Sequence, residues 1–441
     1  MDSRASAEAC LRALFAAAVA AAAPDALVAG RLPAPPAGRT VVVGAGKAAA
    51  AMARAVEQAW PGPLSGVSGL VVTPYGHGVT CTRVEVVEAA HPVPDEAGRQ
   101  AAARIVAQVG GLTADDLVLC LVSGGGSSLL ALPAAGVGLD DEREVGAALL
   151  RSGAPIAEIN CVRKHLSAIK GGRLAVAARP AAVVTLIISD VPGDDPSVVA
   201  SGPTVGDPTT YAQALAVLEK YGIQPPPAAL EHLRAGAVGG RDAPPETPKP
   251  GDARLSRAST VVLATAHDAL AAAAATAESW GLLPIVLGES IEGEASEVGL
   301  RHAEHALHLA GWYEDEAAAA VLLSGGETTV TVRGNGRGGR NTEYLLGLAL
   351  GLAGHPGIYA LAADTDGIDG TAGNAGAFVA PDTLGRALAA GFDPAALLAD
   401  NDAYALFEGL DDLVVTGPTR TNVNDLRAIV VTGREPVVAT T

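Results

Sequence analysis

Five segments of this chain hold residues whose types and spacing could do chemistry. In "VVVGAGKAAAAMA", Gly46 and Lys47 stand where an apolar strand turns into a helix, so an ammonium and a helix dipole can act together on an anion. In "VSGGGSSLL", Gly124, Gly125 and Gly126 allow close backbone approach, and their N–H groups can form an anion-binding concavity. Ser123, Ser127 and Ser128 add hydroxyls, which is more than a plain packing turn needs. In "NCVRKHLSAIKGGRLA", Asn160 precedes Arg163, Lys164, Lys170 and Arg173, a positive island in a chain sparing of cations. On one helix Arg163 and Lys170 would share a face, and a solvated surface is the plainer alternative. In "SGGETTVTVRGNGRGGRN", Gly325, Gly326 and Glu327 repeat the glycine motif. A predicted hairpin then offers Arg333, Arg337 and Arg340 for bidentate phosphate or carboxylate recognition. Glu327 is a candidate metal ligand or proton acceptor.

The fifth place is acidic. Asp190 in "SDVPGDDP" and Asp364 in "ADTDGIDGT" each end a predicted strand. Magnesium held partly by nucleotide phosphates needs only one or two carboxylates, so these two are its candidates. The second acidic segment is out of register for a calcium loop, with Ala375 at the closing position.

Several familiar patterns fail. Gly44, Gly46 and Ala49 match a dinucleotide fingerprint in form, but no Asp or Glu occurs from 58 to 84 to hold a ribose. A Walker loop is excluded by Val41 in place of its first glycine and by Ala48 after the lysine. No nucleophile elbow accompanies the serines. His302, His305 and His308 recur at threes on a helix and read as solvated surface rather than a metal site.

These loops need elements to position them. The chain has 441 residues, 49% hydrophobic and 18% charged, with Gly 53 and Pro 29, which suits an alternating α/β protein. Strands are predicted at 40–46, 68–74, 84–90, 116–123 and 181–190. After a Gly- and Pro-rich linker at 236–258 they resume at 259–265, 283–289, 319–327, 329–334, 359–364 and 427–433. The pattern predicts two α/β domains, 1–240 and 256–441, with the active site in the cleft between them. A net charge of -18 disfavours nucleic acid and anionic membranes. Cys10, Cys81, Cys120 and Cys161 lack zinc or disulfide spacing and read as reduced thiols of a cytoplasmic protein. The apolar N-terminal stretch reads as a packed helix rather than a signal peptide, because Asp2 and Glu8 spoil the positive end.

Taken in order, "VGAGKAAAAMA", "HPVPDEAG", "VSGGGSSLL", "NCVRKHLSAIKGGRLA", "SDVPGDDPSVVASGPT", "SGGETTVTVRGNGRGGRN", "ADTDGIDGT" and "GPTRTNVNDL" resemble the glycerate 2-kinase family nearly end to end. That family has a C-terminal MOFRL domain and is named in places as hydroxypyruvate reductase. The resemblance implies a Rossmann-like parallel-sheet N-terminal domain and a second, MOFRL-type α/β domain. It implies ATP and magnesium as cofactors, D-glycerate as the small-molecule substrate, and a homo-oligomer as an open arrangement. Lys47 and Arg340 are then expected on the transferring phosphoryl group. Ser123 to Ser128, Asn160, Arg163 and Lys164 fall to substrate or phosphate, as do Gly325, Gly326 and Glu327, while Asp190 with Asp364 falls to magnesium. The family usually has Gln at Thr342, Gly at Arg420, and often acids at Ala372 and Gly373. The rival readings are an NAD(P)H-dependent hydroxypyruvate reductase and a non-catalytic sugar-acid binding protein.

Overall fold

Six strands of the first half form one sheet: β1 (Thr40–Ala45), β2 (Val67–Pro74), β3 (Val84–Ala89), β4 (Leu117–Val122), β5 (Ala182–Ile188) and β6 (Ala258–Ala264). The computed structural model describes residues 4–313 and 319–433. Its strand order is β3-β2-β1-β4-β5-β6, and the first five strands run parallel. β1 and β4 are buried along their whole length, as expected of strands covered on both faces, and their unbroken apolar runs made them legible.

Two units divide the chain, one Pro24–Leu263 and the other Met1–Ala23 with Ala264–Thr441. The limits differ from the expected 1–240 and 256–441. Helix Arg4–Ala21 buries Leu11, Leu14 and Phe15 in the second unit, where the Thr421 hydroxyl donates to Ala22 O at 2.6 Å and Arg4 pairs with Asp382 at 2.7 Å. The expected linker is not free chain. Glu246 pairs with His165 Nε2 at 2.8 Å, and the Thr247 hydroxyl donates to Asp207 at 3.1 Å. β6, beyond the linker, joins the first sheet.

The second unit has β7 (Leu283–Gly288), β8 (Ala319–Ser324), β9 (Ile358–Asp364), β10 (Gly376–Val379), β11 (Leu413–Val414) and β12 (Asp425–Thr432), in the order β11-β10-β9-β12-β8-β7. The sheet is mixed. β12 runs antiparallel to both β8 and β9, and β10 antiparallel to β9. The strand expected at 329–334 does not form. Backbone N–H groups of Arg333 and Gly334 bond Asn401 Oδ1 at 2.7 and 3.0 Å, and that of Arg337 bonds Asp402 at 2.9 Å. This docking of the loop on residues 400–402 replaces the predicted hairpin. Among the described residues no single helix is long and apolar enough to cross a membrane.

Candidate active site

The first sheet changes direction of winding between β1 and β4, where α/β proteins open a crevice beyond their strand ends. The Gly46–Lys47 turn and the 123–126 loop meet there. Lys47 N donates to Gly124 O at 2.9 Å, and Ala48 N donates to Ser123 Oγ at 2.9 Å. Ser123 is therefore fully buried and caps the helix Ala49–Ala59 instead of facing a ligand. Lys47 is half-buried in the turn.

The glycines have separate reasons. Gly125 takes φ +78°, and a Cβ on it would lie 2.7 Å from the His91 ring. A Cβ on Gly126 would lie 2.7 Å from Ala200 Cβ and 2.8 Å from Ala45 O. Opposite Gly126, Ala200 and Ser201 both adopt left-handed backbone, φ +50° and +60°, a strained arrangement of the kind functional loops retain. Ser201 links the loops: its Oγ lies 2.8 Å from Ser127 Oγ and donates to Asn160 Oδ1 at 2.9 Å. Ser127 and Asn160, forecast separately, thus belong to one hydrogen-bonded chain, and Ser201 is the member the forecast missed.

The four cations of 163–173 do not act as a group. The helix Ile156–His165 ends before Lys170, so no single helix carries Arg163 and Lys170. Lys164 is buried 3.4 Å from Asp207, and Arg173 donates to the Tyr211 hydroxyl at 3.0 Å. Lys170, 1% exposed, donates to Leu130 O at 3.0 Å and to Glu142 at 3.1 Å. Arg163 alone is left over: among the described residues it has no hydrogen bond or ion pair. Burial lowers its pKa, with the Glu142 charge opposing. Arg163, Lys170, Ser127, Ser128 and Glu142 line one pocket of about 350 Å³. Glu142 was missed because it sits in "LDDEREV", which reads as a solvated acidic helix start.

Asp190 lies half-buried in the loop after β5, the strand next to β4.

In the second unit the Ser-Gly-Gly loop follows β8. Arg427, 1% exposed within β12, donates to Gly325 O at 3.1 Å and Gly326 O at 3.2 Å, and pairs with Asp425 at 2.8 Å. Asp425 receives Arg340 Nε at 2.9 Å, while Arg340 reaches Asp364 at 2.6 Å and Glu327 at 3.1 Å. Burial opposes the charge of Arg340, yet these three carboxylates hold its pKa well above the ordinary arginine value. Burial likewise works against the Asp425 charge, and Arg340 and Arg427 overcome it, lowering that pKa. Asp369 accepts from the backbone of Asn341 and Thr342 at 2.9 Å each, fixing the start of helix Arg340–Leu352. Thr342 takes part through its hydroxyl, which lies 3.0 Å from Asp369. His302, on helix Ala295–Trp312, is not the solvated residue expected: it is 5% exposed and bonds the Tyr344 hydroxyl at 2.9 Å, and burial and Arg427 push its pKa down to about 4. Asp425 and Arg427 were missed. Their signal was two charges in an otherwise apolar strand.

Among the described residues no three His, Cys, Asp or Glu gather as metal ligands. Asp364 already bonds Arg340 and the Asp366 N–H at 2.9 Å, so it fits a magnesium ligand only on giving up the guanidinium.

Residues 10–234 match the family described as a domain of unknown function (DUF4147), and residues 320–425 match the MOFRL family. A protein of Agrobacterium vitis named as a hydroxypyruvate reductase is 55% identical over 96% of this chain and 94% of its own length. The D-glycerate 2-kinase of Thermotoga maritima is 40% identical over 91% of this chain and 93% of its length. The crystal structure of a glycerate kinase from Thermotoga maritima superposes with a TM-score of 0.82 at 39% identity, covering 95% of this chain and 97% of that one.

Proposed function

Since the chain belongs to the glycerate 2-kinase family, we propose that it transfers the γ-phosphoryl group of ATP to the 2-hydroxyl of D-glycerate, giving 2-phosphoglycerate in the cytoplasm. The observation that carries this reading is the crevice at β1 and β4, where the Lys47 turn and the glycine loop are hydrogen-bonded into one wall.

Phosphoryl transfer passes through a loose transition state, so the protein's work is positioning and neutralising charge. Lys47 and Arg340 are assigned to charge on the transferred group. The crevice backbone receives an anion, and Ser127, Ser201 and Asn160 hold the loops in register. Asp190 orients the 2-hydroxyl and is the carboxylate offered to magnesium; Asp364 can join it only by exchanging Arg340. Magnesium, when bound with ATP, neutralises phosphate oxygens. In the second unit Glu327 pairs with Arg340, while Gly325 and Gly326 accept from Arg427.

The reductase name of the Agrobacterium vitis relative makes a second reading, and the strand order is that of dinucleotide-binding folds. Against it, the end of β2, where such folds place a ribose-binding acid, carries Thr73, whose hydroxyl donates to Gly46 O at 3.1 Å. One experiment separates the readings. ATP, magnesium and D-glycerate are supplied with enolase as the reporting enzyme, which accepts the 2-phosphate and not the 3-phosphate, and NADH with hydroxypyruvate in parallel. The expected result is ADP formation with enolase turnover; NADH loss without ADP would overturn the kinase reading. Near-normal turnover in both Lys47→Ala and Arg340→Ala would overturn the residue assignment alone.

A further inference from the structure

Resting on the kinase reading, we infer that the pocket around Arg163 is the acceptor site, binding the carboxylate of a small hydroxy acid rather than any phosphate of ATP. The charge count decides between the two. The charged side chains lining the pocket are Glu142, Arg143, Glu144, Arg163 and Lys170, one net positive charge; Lys170 pairs with Glu142 and Arg143 with Asp140, so Arg163 is the lining cation with no paired carboxylate. One net positive charge matches a monocarboxylate. A polyphosphate would bring several negative charges up to the Glu142 and Glu144 carboxylates with one net positive charge to answer them.

A second observation points to hydroxyls. Glu142 is 8% exposed, and its Oε2 is buried with no hydrogen-bond partner, a cost that a bound donor would remove. D-Glycerate offers such donors beside its carboxylate. Arg163 is suited to a bidentate grip on that carboxylate, and the Ser127 and Ser128 hydroxyls line the same pocket. Volume agrees: about 350 Å³ is about twelve water-sized shares, ample for a three-carbon acid. The pocket lies within the first unit and touches the glycine loop through Ser127.

Three variants test it, read by titration calorimetry with D-glycerate and no ATP, and by steady-state kinetics. Arg163→Ala is expected to raise Kd and KM for D-glycerate about tenfold or more, with KM for ATP within about twofold, because a charge-assisted pair is lost from one substrate only. Arg163→Lys should recover part of this. Gly146 lines the pocket from helix Leu139–Arg151, and a Cβ there meets nothing within 4 Å. Gly146→Leu should therefore fold at least as well as the parent and still weaken D-glycerate binding by filling the pocket. Unchanged D-glycerate binding in Arg163→Ala, or a rise in KM for ATP instead, would overturn the assignment. Binding of D-glycerate that depends on Arg163 without phosphoryl transfer would support the pocket and overturn the kinase reading, so the two failures are distinguishable.

Discussion

Arg163 and Arg340 are both mostly buried guanidiniums near a glycine-serine loop, and their surroundings are opposite. Arg163 has no counter-charge within bonding distance and a pKa lowered by burial. Arg340 has three carboxylates and a pKa raised well above normal. The first is held ready for an anion that arrives; the second is already neutralised and fixed in direction. Binding a substrate improves the electrostatics of the first site, whereas a phosphoryl group at the second must compete with Glu327, the most exposed of its partners.

The largest effect should come from removing the neutralised arginine. Arg340→Ala takes one of two guanidinium partners from buried Asp425 and the Arg340 contact from buried Asp364, and is expected to lower stability by about 3–5 kcal/mol. Arg163→Ala removes an isolated buried cation and should change stability by no more than about 0.5 kcal/mol. Denaturant unfolding of the two variants checks this, and equal losses would break the comparison. The acid limb provides a further check. The folded-state pKa of Asp425 is depressed, so its contribution is present above the unfolded carboxylate pKa of about 3.9 and is lost as pH falls below it. In Arg340→Ala that part of the acid loss should shrink.

Much of the fold was readable because its strands are short apolar runs punctuated by glycine, and β1, β4 and β5 appear almost as forecast. The antiparallel course of β12 was not, since pairing direction is set by which edge a returning chain meets and leaves no trace in composition. Residues 329–334 alternate like a strand, but a Cβ on Gly334 or Gly336 would fall 2.2 or 2.3 Å from the Asp400 and Asp402 segment, so close docking there defeats the ladder. At the site, residue type located the loops and tertiary contact allotted the roles. Ser123 became a helix cap, Lys164 turned to Asp207, and Arg163 stayed open. Nothing in the spacing of those cations distinguishes them.

Next in size is a steric contrast on the Arg163 side. Gly126→Ala would push its methyl to 2.7 Å from Ala200 and 2.8 Å from Ala45 O, costing about 1–3 kcal/mol and displacing the glycine loop. Gly146→Ala, in open space on a helix, should gain up to about 1 kcal/mol. Thermal melts of the pair report whether the loop, and not glycine content as such, is the rigid part.

On the Arg340 side, Glu343 sits one turn along the same helix, 4% exposed, and holds Asn401 Nδ2 at 3.1 Å. Burial raises its pKa to about 7 against that hydrogen bond, with Glu294 and Asp369 adding. A raised carboxylate favours the fold below its unfolded pKa of about 4.3, and that contribution disappears as pH rises through 7. Glu343→Gln should flatten stability between those limits and raise it by about 1 kcal/mol at pH 8, less than the full shift because the exposed 331–337 loop admits screening water. Asn401 also carries the Arg333 and Gly334 N–H groups, so, relative to the intrinsic base-catalysed exchange rate, amide protection of the parent's loop should fall above pH 7, and the variant's should not.

The smallest effect concerns a third arginine. Arg420 has φ +64°, a left-handed conformation that costs a side-chain-bearing residue about 1–2 kcal/mol. Its Nε is buried without a hydrogen-bond partner, so the guanidinium offers little in return. Arg420→Gly relieves the strain and adds glycine's backbone entropy, for a net gain of about 0.5 kcal/mol. If Arg420 is strained and otherwise idle, unfolding shows that gain and KM for D-glycerate and ATP both stay put. A fall in stability would mean that Arg420 is neutralised as Arg340 is, and a rise in either KM would mean that it is held open for an anion as Arg163 is.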